Sequence, residues 1–184
     1  MGGGHLNHGQ EANVPDLHRQ SAPEKLRCAV ITVSDTRTVE TDRGGAIAAG
    51  LLEEAKHVVV HRAIIPDDRE RIRQEVFCLF ERGDVDVVLL TGGTGLSPRD
   101  QTVEAVEPLF TKSLPGFGEL FRMLSFHEIG PAAMLSRACA GVIGRMVLFL
   151  LPGSPGGVKL ALEQLILPEL GHIVYELRKG MATA

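Results

Sequence analysis

The sequence is poor in aromatic side chains and carries no excess of positive charge. It contains no tryptophan, one tyrosine and seven phenylalanines among 184 residues, so few side chains could stack on nucleic-acid bases. The formal net charge is -4, whereas broad binding of nucleic acid needs a basic surface. We therefore expect no nucleic-acid partner.

Cysteine is also scarce, and long apolar runs are absent. Cys28, Cys78 and Cys139 form no CxxC pair, and their odd number cannot close a disulfide framework. No run approaches the roughly 18 apolar residues that a membrane span needs, and the first residues contain no secretory apolar segment. These absences predict a cytoplasmic protein with reduced thiols and no membrane partner.

Composition divides the chain into two parts. Residues 1–24 are rich in glycine and histidine and poor in large apolar residues, which is typical of a disordered tail. In residues 25–180, apolar runs of strand length (26–33, 57–65, 85–90 and 145–151) alternate with helical patterns (42–55, 67–83, 125–135 and 158–178, the last kinked at Pro168). Strands separated by helices predict a single-domain α/β fold, a three-layer α/β/α sandwich around a mostly parallel sheet.

Small, polar and acidic residues follow each of the predicted strands. They are Ser34 and Asp35 after the first, Asp67 after the second, Thr91 to Gly95 with Asp100 after the third, and Pro152, Gly153 and Ser154 after the fourth. Ligands bind at the carboxyl ends of the strands in an open parallel sheet. We therefore expect these residues to form one site.

The run Thr91-Gly92-Gly93-Thr94-Gly95 is the most informative of these segments. Its glycines allow a tight turn that brings backbone N–H groups close to an anion, which predicts a phosphate site. The run lacks the lysine of a P-loop, and Pro98 breaks the GxGxxG pattern. The other interpretation is a tight strand-to-helix turn that needs glycine only for its dihedral angles.

Two aspartates could bind Mg²⁺ together with substrate phosphates. Asp67 and Asp100 follow neighbouring predicted strands, and Mg²⁺ usually takes one or two carboxylates plus phosphate oxygens. Each also has a structural interpretation, because Asp67 fits a helix N-cap and Asp100 fits the first turn of a helix that begins at Ser97. Arg99 could stabilise charge on a transferring phosphoryl group or could remain in solvent.

The segment 91–102, TGGTGLSPRDQT, resembles the MoaB/Mog family of molybdenum-cofactor biosynthesis proteins. The resemblance continues in five other segments: Thr32–Asp35, Ile65–Asp68, Gly116–Phe126, Ser136–Ala138 and Leu151–Pro155. It covers residues 26–177. In one departure, this chain has Gly44 in the sequence Asp42-Arg43-Gly44-Gly45, where the family often has a serine.

The resemblance implies a three-layer α/β fold, a homotrimer or homohexamer, and the transfer of AMP from Mg-ATP to the terminal phosphate of molybdopterin. Asp67, Asp100 and Arg99 would then be catalytic, and the two aspartates would hold Mg²⁺. The run 91–95, with Ser34, Asp35 and residues 152–154, would bind the phosphates and the pterin substrate. The alternative that the family leaves open is a non-catalytic carrier that binds molybdopterin.

Overall fold

A six-stranded sheet forms the centre of the computed structural model, which describes residue 23 and residues 25–179. The strands are β1 (Arg27–Val33), β2 (Val58–Ile65), β3 (Val87–Thr91), β4 (Lys112–Ser113), β5 (Cys139–Ile143) and β6 (Met146–Leu151). Their order is β2-β1-β3-β6-β5-β4; the pairs up to β6 are parallel, and β5 and β4 add an antiparallel edge. The predicted tail lies outside the described residues apart from residue 23.

Helices cover both faces of the sheet, which confirms the predicted three layers. They are α1 (Arg43–Glu54), α2 (Arg69–Arg82), α3 (Thr102–Val106), α4 (Pro115–Ile129), α5 (Pro155–Ala161) and α6 (Leu167–Arg178). Strand residues alternate between two buried clusters: Val87 and Leu89 of β3 pack with α1, α4, α5 and α6, while Val88 and Leu90 pack with α2 and α3. None of the helices in the described part is long and apolar enough to cross a membrane.

The break predicted in the last helical segment is a π turn. Residues Leu162–Ile166 form it between α5 and α6, and the N–H of Leu167 donates to Leu162 O. Pro168 follows in the first turn of α6, where its missing N–H does little harm.

The sequence-based prediction of the fold differs from the structure at α4 and at the antiparallel edge of the sheet. The predicted helix 125–135 is displaced, since α4 begins at Pro115, contains Ser125 in its interior and ends at Gly130, whose φ is 64°. Gly130–Leu135 is a 3₁₀ helix instead. The antiparallel strands β4 and β5 were not predicted at all.

Candidate functional site

The loops after β1, β3 and β6 meet at the carboxyl edge of the sheet. The N–H of Gly92 donates to Leu151 O at 3.0 Å. A Cβ on Gly92 would overlap Val33 O, and a Cβ on Gly153 would lie 3.3 Å from Gly92 Cα. The structure therefore brings three of the predicted segments into direct contact, with no room for a side chain at position 92 and a tight fit for one at position 153.

Three successive backbone N–H groups of the glycine loop (residues 91–95) have no acceptor in the described chain. Gly92 and Gly93 have φ angles of 99° and 63°, which other residues rarely adopt. Within residues 25–179, no acceptor receives the N–H groups of Gly93, Thr94 or Gly95. Thr94 is buried and its hydroxyl donates to Leu151 O at 3.5 Å, so this side chain anchors the loop. The unpaired N–H groups suit an anionic ligand.

Asp67 lies against the glycine loop. Its Oδ1 accepts the N–H of Gln101 at 2.9 Å, and its own N–H donates to Asp35 Oδ1 at 3.1 Å. Burial raises the pKa of Asp67; the hydrogen bond from Gln101 lowers it, and the charges of Asp100, Asp35 and Glu104 raise it further. Asp67 is therefore a partly buried carboxylate in a negative field, and Asp35 positions its backbone.

The interpretation of Asp67 as a helix cap is wrong. Asp68 is the N-cap of α2, and its Oδ1 accepts the N–H of Arg71 at 2.9 Å. This leaves the Asp67 side chain directed at the loop, where a Cβ on Gly93 would lie 2.7 Å from Asp67 Oδ2.

Asp100 closes a turn rather than standing in a helix. Its Oδ2 accepts the N–H of Ser97 at 2.8 Å, and its N–H donates to Ser97 O at 2.9 Å. The helix predicted from Ser97 begins only at Thr102, because the N–H of Gln101 is drawn to Asp67 and leaves the helical path. Arg99 is exposed, and its guanidinium contacts no partner in residues 25–179.

The two carboxylates fit a magnesium ion that completes its coordination with substrate oxygens. No group of three or more His, Cys, Asp or Glu side chains in the described chain could hold a metal by itself. Two carboxylates with phosphates and water are the usual set for Mg²⁺. Burial is the main cause of the raised pKa of Asp67, and a cation here would offset the further contribution from the charges of Asp100, Asp35 and Glu104.

A polar cavity of about 370 Å³ adjoins the glycine loop. Its lining includes Thr32, Ser34, Arg37, Asp42, Thr91 and Ser154. The two serines also have structural roles, since Ser34 Oγ accepts the N–H groups of Thr36 and Arg37 at 3.2 Å, and Ser154 Oγ caps α5 by accepting the N–H of Gly157 at 3.3 Å. Each hydroxyl proton remains free to reach a ligand.

Pro152, the remaining predicted residue, lines a second cavity, whose lining also includes Ser154. This cavity of about 330 Å³ is bounded by α4 and the first turn of α5. The two cavities therefore share Ser154 as a lining residue.

Two arginines at this edge were not assigned to the site, although Arg137 lies in the resembling segment Ser136–Ala138. Arg37 lines the polar cavity and donates to Thr41 O at 2.8 Å. Arg137 donates to Thr94 O at 3.3 Å and forms an ion pair with Glu104. Arg37 stands only three residues after Ser34, so its place in a strand-end loop was a usable signal; no local pattern links Arg137 to residues more than 30 positions away.

Gly44, where the family often has a serine, lies beside two residues that line the polar cavity. A Cβ on Gly44 would lie 3.5 Å from Gly153 O and 3.8 Å from Thr91 Oγ1. These are ordinary contacts, so a Cβ at this position needs no displacement of the strand-end loops.

Comparison with known proteins agrees with this architecture. Residues 29–172 match the family model of a probable molybdopterin binding domain. The chain is 55% identical over 163 residues to Molybdenum cofactor biosynthesis protein B of Bacillus anthracis, across 88% of this chain and 96% of that protein.

Solved structures show the same similarity. A crystal structure of a Molybdenum cofactor biosynthesis protein B has a TM-score of 0.82 at 55% identity, with 85% of this chain and 98% of that chain covered. The tungsten cofactor synthesizing protein MoaB from Pyrococcus furiosus has a TM-score of 0.74 at 40% identity, with 86% and 100% covered. The chain belongs to the MoaB family of molybdenum cofactor biosynthesis proteins.

Proposed function

We propose that the chain binds molybdopterin and transfers AMP from Mg-ATP to its terminal phosphate, with release of pyrophosphate. One observation carries the proposal: the loop residues 93–95, whose N–H groups have no acceptor in the described chain, have a carboxylate beside each end, since a Cβ on Gly93 would lie 2.7 Å from Asp67 Oδ2 and a Cβ on Gly95 would lie 2.7 Å from Asp100 Oδ2. N–H donors bind phosphate oxygens, and carboxylates at the same place suit the magnesium that accompanies a nucleotide.

The reaction needs positioning and charge neutralisation rather than a protein nucleophile. A phosphate oxygen of molybdopterin forms the new bond to the α-phosphorus of ATP, and the bond to the pyrophosphate oxygen breaks. Asp67 and Asp100 would hold Mg²⁺, which neutralises the phosphate charge. Burial raises the pKa of the Cys139 thiol to about 12, so this thiol stays protonated near neutral pH.

The second candidate function is a carrier that binds molybdopterin without chemistry. The position of Arg99 favours it, because the exposed guanidinium is not held over the glycine loop by any described residue. The two functions share the pocket and differ only in whether product forms.

The test is an assay of purified chain, molybdopterin and Mg-ATP, with chromatographic detection of the AMP adduct and of pyrophosphate. We expect equal amounts of both products. Asp100→Asn keeps an oxygen for the N–H of Ser97 but removes the charge, and we expect it to lower the rate by about 100-fold or more. Molybdopterin binding without either product would establish the carrier instead.

We also propose that the chain forms a homotrimer or homohexamer. The apolar face that supports this proposal, called here the α4 face, consists of large side chains that are 47% to 78% exposed: Leu120, Met123, Phe126, Ile129, Met134 and Leu135. The first four recur every three residues along α4, and exposed apolar clusters of this kind mark contact surfaces.

Substitution of Phe126 tests the assembly. Phe126→Lys places an unpaired charge in the proposed interface, and we expect it to shift the chain to monomers in analytical ultracentrifugation. Phe77→Lys is the matched control, because Phe77 is 49% exposed on α2, outside the α4 face. A monomeric wild-type chain, or equal behaviour of the two variants, would contradict the proposal.

A further inference from the structure

Arg137 connects α3 to the backbone at both ends of residues 94–100, the segment that leads out of the glycine loop. Its Nε donates to Thr94 O at 3.3 Å and its Nη2 to Asp100 O at 3.5 Å. The same guanidinium pairs with the carboxylate of Glu104 through Nη1 and Nη2, the latter at 3.3 Å from Glu104 Oε2. One side chain therefore spans residues 94, 100 and 104.

The backbone from Gly93 to Ser97 has few other hydrogen bonds to the rest of the described chain. Its beginning is fixed by Thr102, whose N–H donates to Gly93 O at 3.0 Å and whose hydroxyl donates to Gly92 O at 2.8 Å. Its end is fixed by the Ser97–Asp100 turn. Between them, the hydrogen bonds that the described residues supply are the long one from Thr94 Oγ1 to Leu151 O and the one from Arg137 to Thr94 O.

We propose that Arg137 is the positioning residue of the phosphate site, and that its planar fork sets the curvature of residues 94–100 so that the loop N–H groups and Asp100 face one bound phosphate. The inference rests on the proposed function. Four of the five guanidinium N–H groups of Arg137 donate to protein acceptors, so the role assigned to this side chain is to act through the loop.

The competing explanation is that Arg137 and Glu104 form an ion pair that only stabilises the fold. The partial exposure of both side chains argues against this explanation. The side chains of Arg137 and Glu104 are 28% and 34% exposed, and partly exposed pairs contribute little to stability. The bonds to the two carbonyl oxygens need the fork of donors in a fixed plane, which a lysine ammonium does not offer.

Arg137→Lys therefore separates the two explanations, because it keeps the positive charge near Glu104 and removes the fork. Arg122→Lys is the matched control: Arg122 donates to Ser136 O and Ala138 O on either side of Arg137 and touches no loop atom. The probe is magnesium pyrophosphate, with its Kd measured by calorimetry, alongside the melting temperature and the kcat and KM of adduct formation.

We expect Arg137→Lys to weaken pyrophosphate binding about tenfold and to lower kcat up to about 100-fold, as misplaced reacting groups do. Arg122→Lys should alter only the melting temperature. Equal affinities and rates in the two variants would overturn the inference, as would a wild-type chain that binds no pyrophosphate. If wild type binds pyrophosphate but forms no adduct, the proposed function fails, and the two affinities still decide the role of Arg137.

Discussion

Asp67→Asn is expected to reduce adenylyl transfer by about 100-fold or more while the folded chain becomes no less stable. The amide oxygen can still accept the N–H of Gln101, so the local geometry is kept. The charge that would bind magnesium is lost, together with its repulsion from Asp35, Asp100 and Glu104. Adduct formation and thermal unfolding, measured on the same preparations, check both parts.

The raised pKa of Asp67 makes its own contribution to stability depend on pH. The folded chain binds this proton more tightly than the unfolded chain, so ionisation of Asp67 disfavours the folded state. This cost is absent below the unfolded pKa near 3.8, grows as the pH rises above that value, and is complete once the pH exceeds the folded pKa. The advantage of Asp67→Asn in melting temperature should therefore be largest near neutral pH and shrink in acid.

Asp68→Asn is the control for this prediction. Asparagine is as good an N-cap as aspartate, and Asp68 is exposed at the start of α2 rather than at the loop. We expect near-wild-type rates from this neighbouring change of charge. An active Asp67→Asn variant would remove Asp67 from the proposed site.

Gly92→Ala is expected to lower the free energy of unfolding by about 3 kcal/mol or more, from backbone strain and overlap together. The residue has a φ of 99°, and an added Cβ would overlap the carbonyl oxygen of Val33. Since Gly92 also bonds to Leu151, the displaced loop would separate the ends of β1, β3 and β6. Urea denaturation measures the change.

Gly50→Ala provides the comparison. Gly50 lies within α1, and a Cβ there would meet no atom within 4 Å. This substitution should stabilise the chain by about 0.5–1 kcal/mol, because glycine disfavours a helix interior. Equal stabilities of the two variants would contradict the close contact of the strand-end loops at Gly92.

Local apolar patterns were sufficient to predict the strands of the parallel part of the sheet. They were not sufficient to predict the two strands of its antiparallel edge. β5 contains Ala140 and Gly141, and a Cβ on Gly141 would overlap the ring of Phe110. In α4, an added Cβ on Gly118 would lie 2.7 Å from Ala138 O. These glycines weaken the local signals for strand and helix, and the packing that requires them comes from distant residues.

The site shows the same division between local and distant information. The sequence pattern was enough to predict that the strand-end loops lie at one edge of the sheet, because parallel topology places them there. It could not distinguish Asp67 from Asp68 as the helix cap, since adjacent aspartates satisfy the same pattern. Nor could it assign a role in the site to Arg137 of the segment Ser136–Ala138, because the partner Glu104 is 33 residues away.

The most direct test of the phosphate site is a crystal structure of the chain with Mg²⁺ and αβ-methylene ATP, in which the bond to be broken is blocked. We expect phosphate oxygens within hydrogen-bonding distance of the N–H groups of residues 93–95. We also expect Mg²⁺ at about 2.1 Å from a carboxylate oxygen of Asp67 or Asp100. A nucleotide bound elsewhere, with the glycine loop and both carboxylates free of contact, would contradict both expectations.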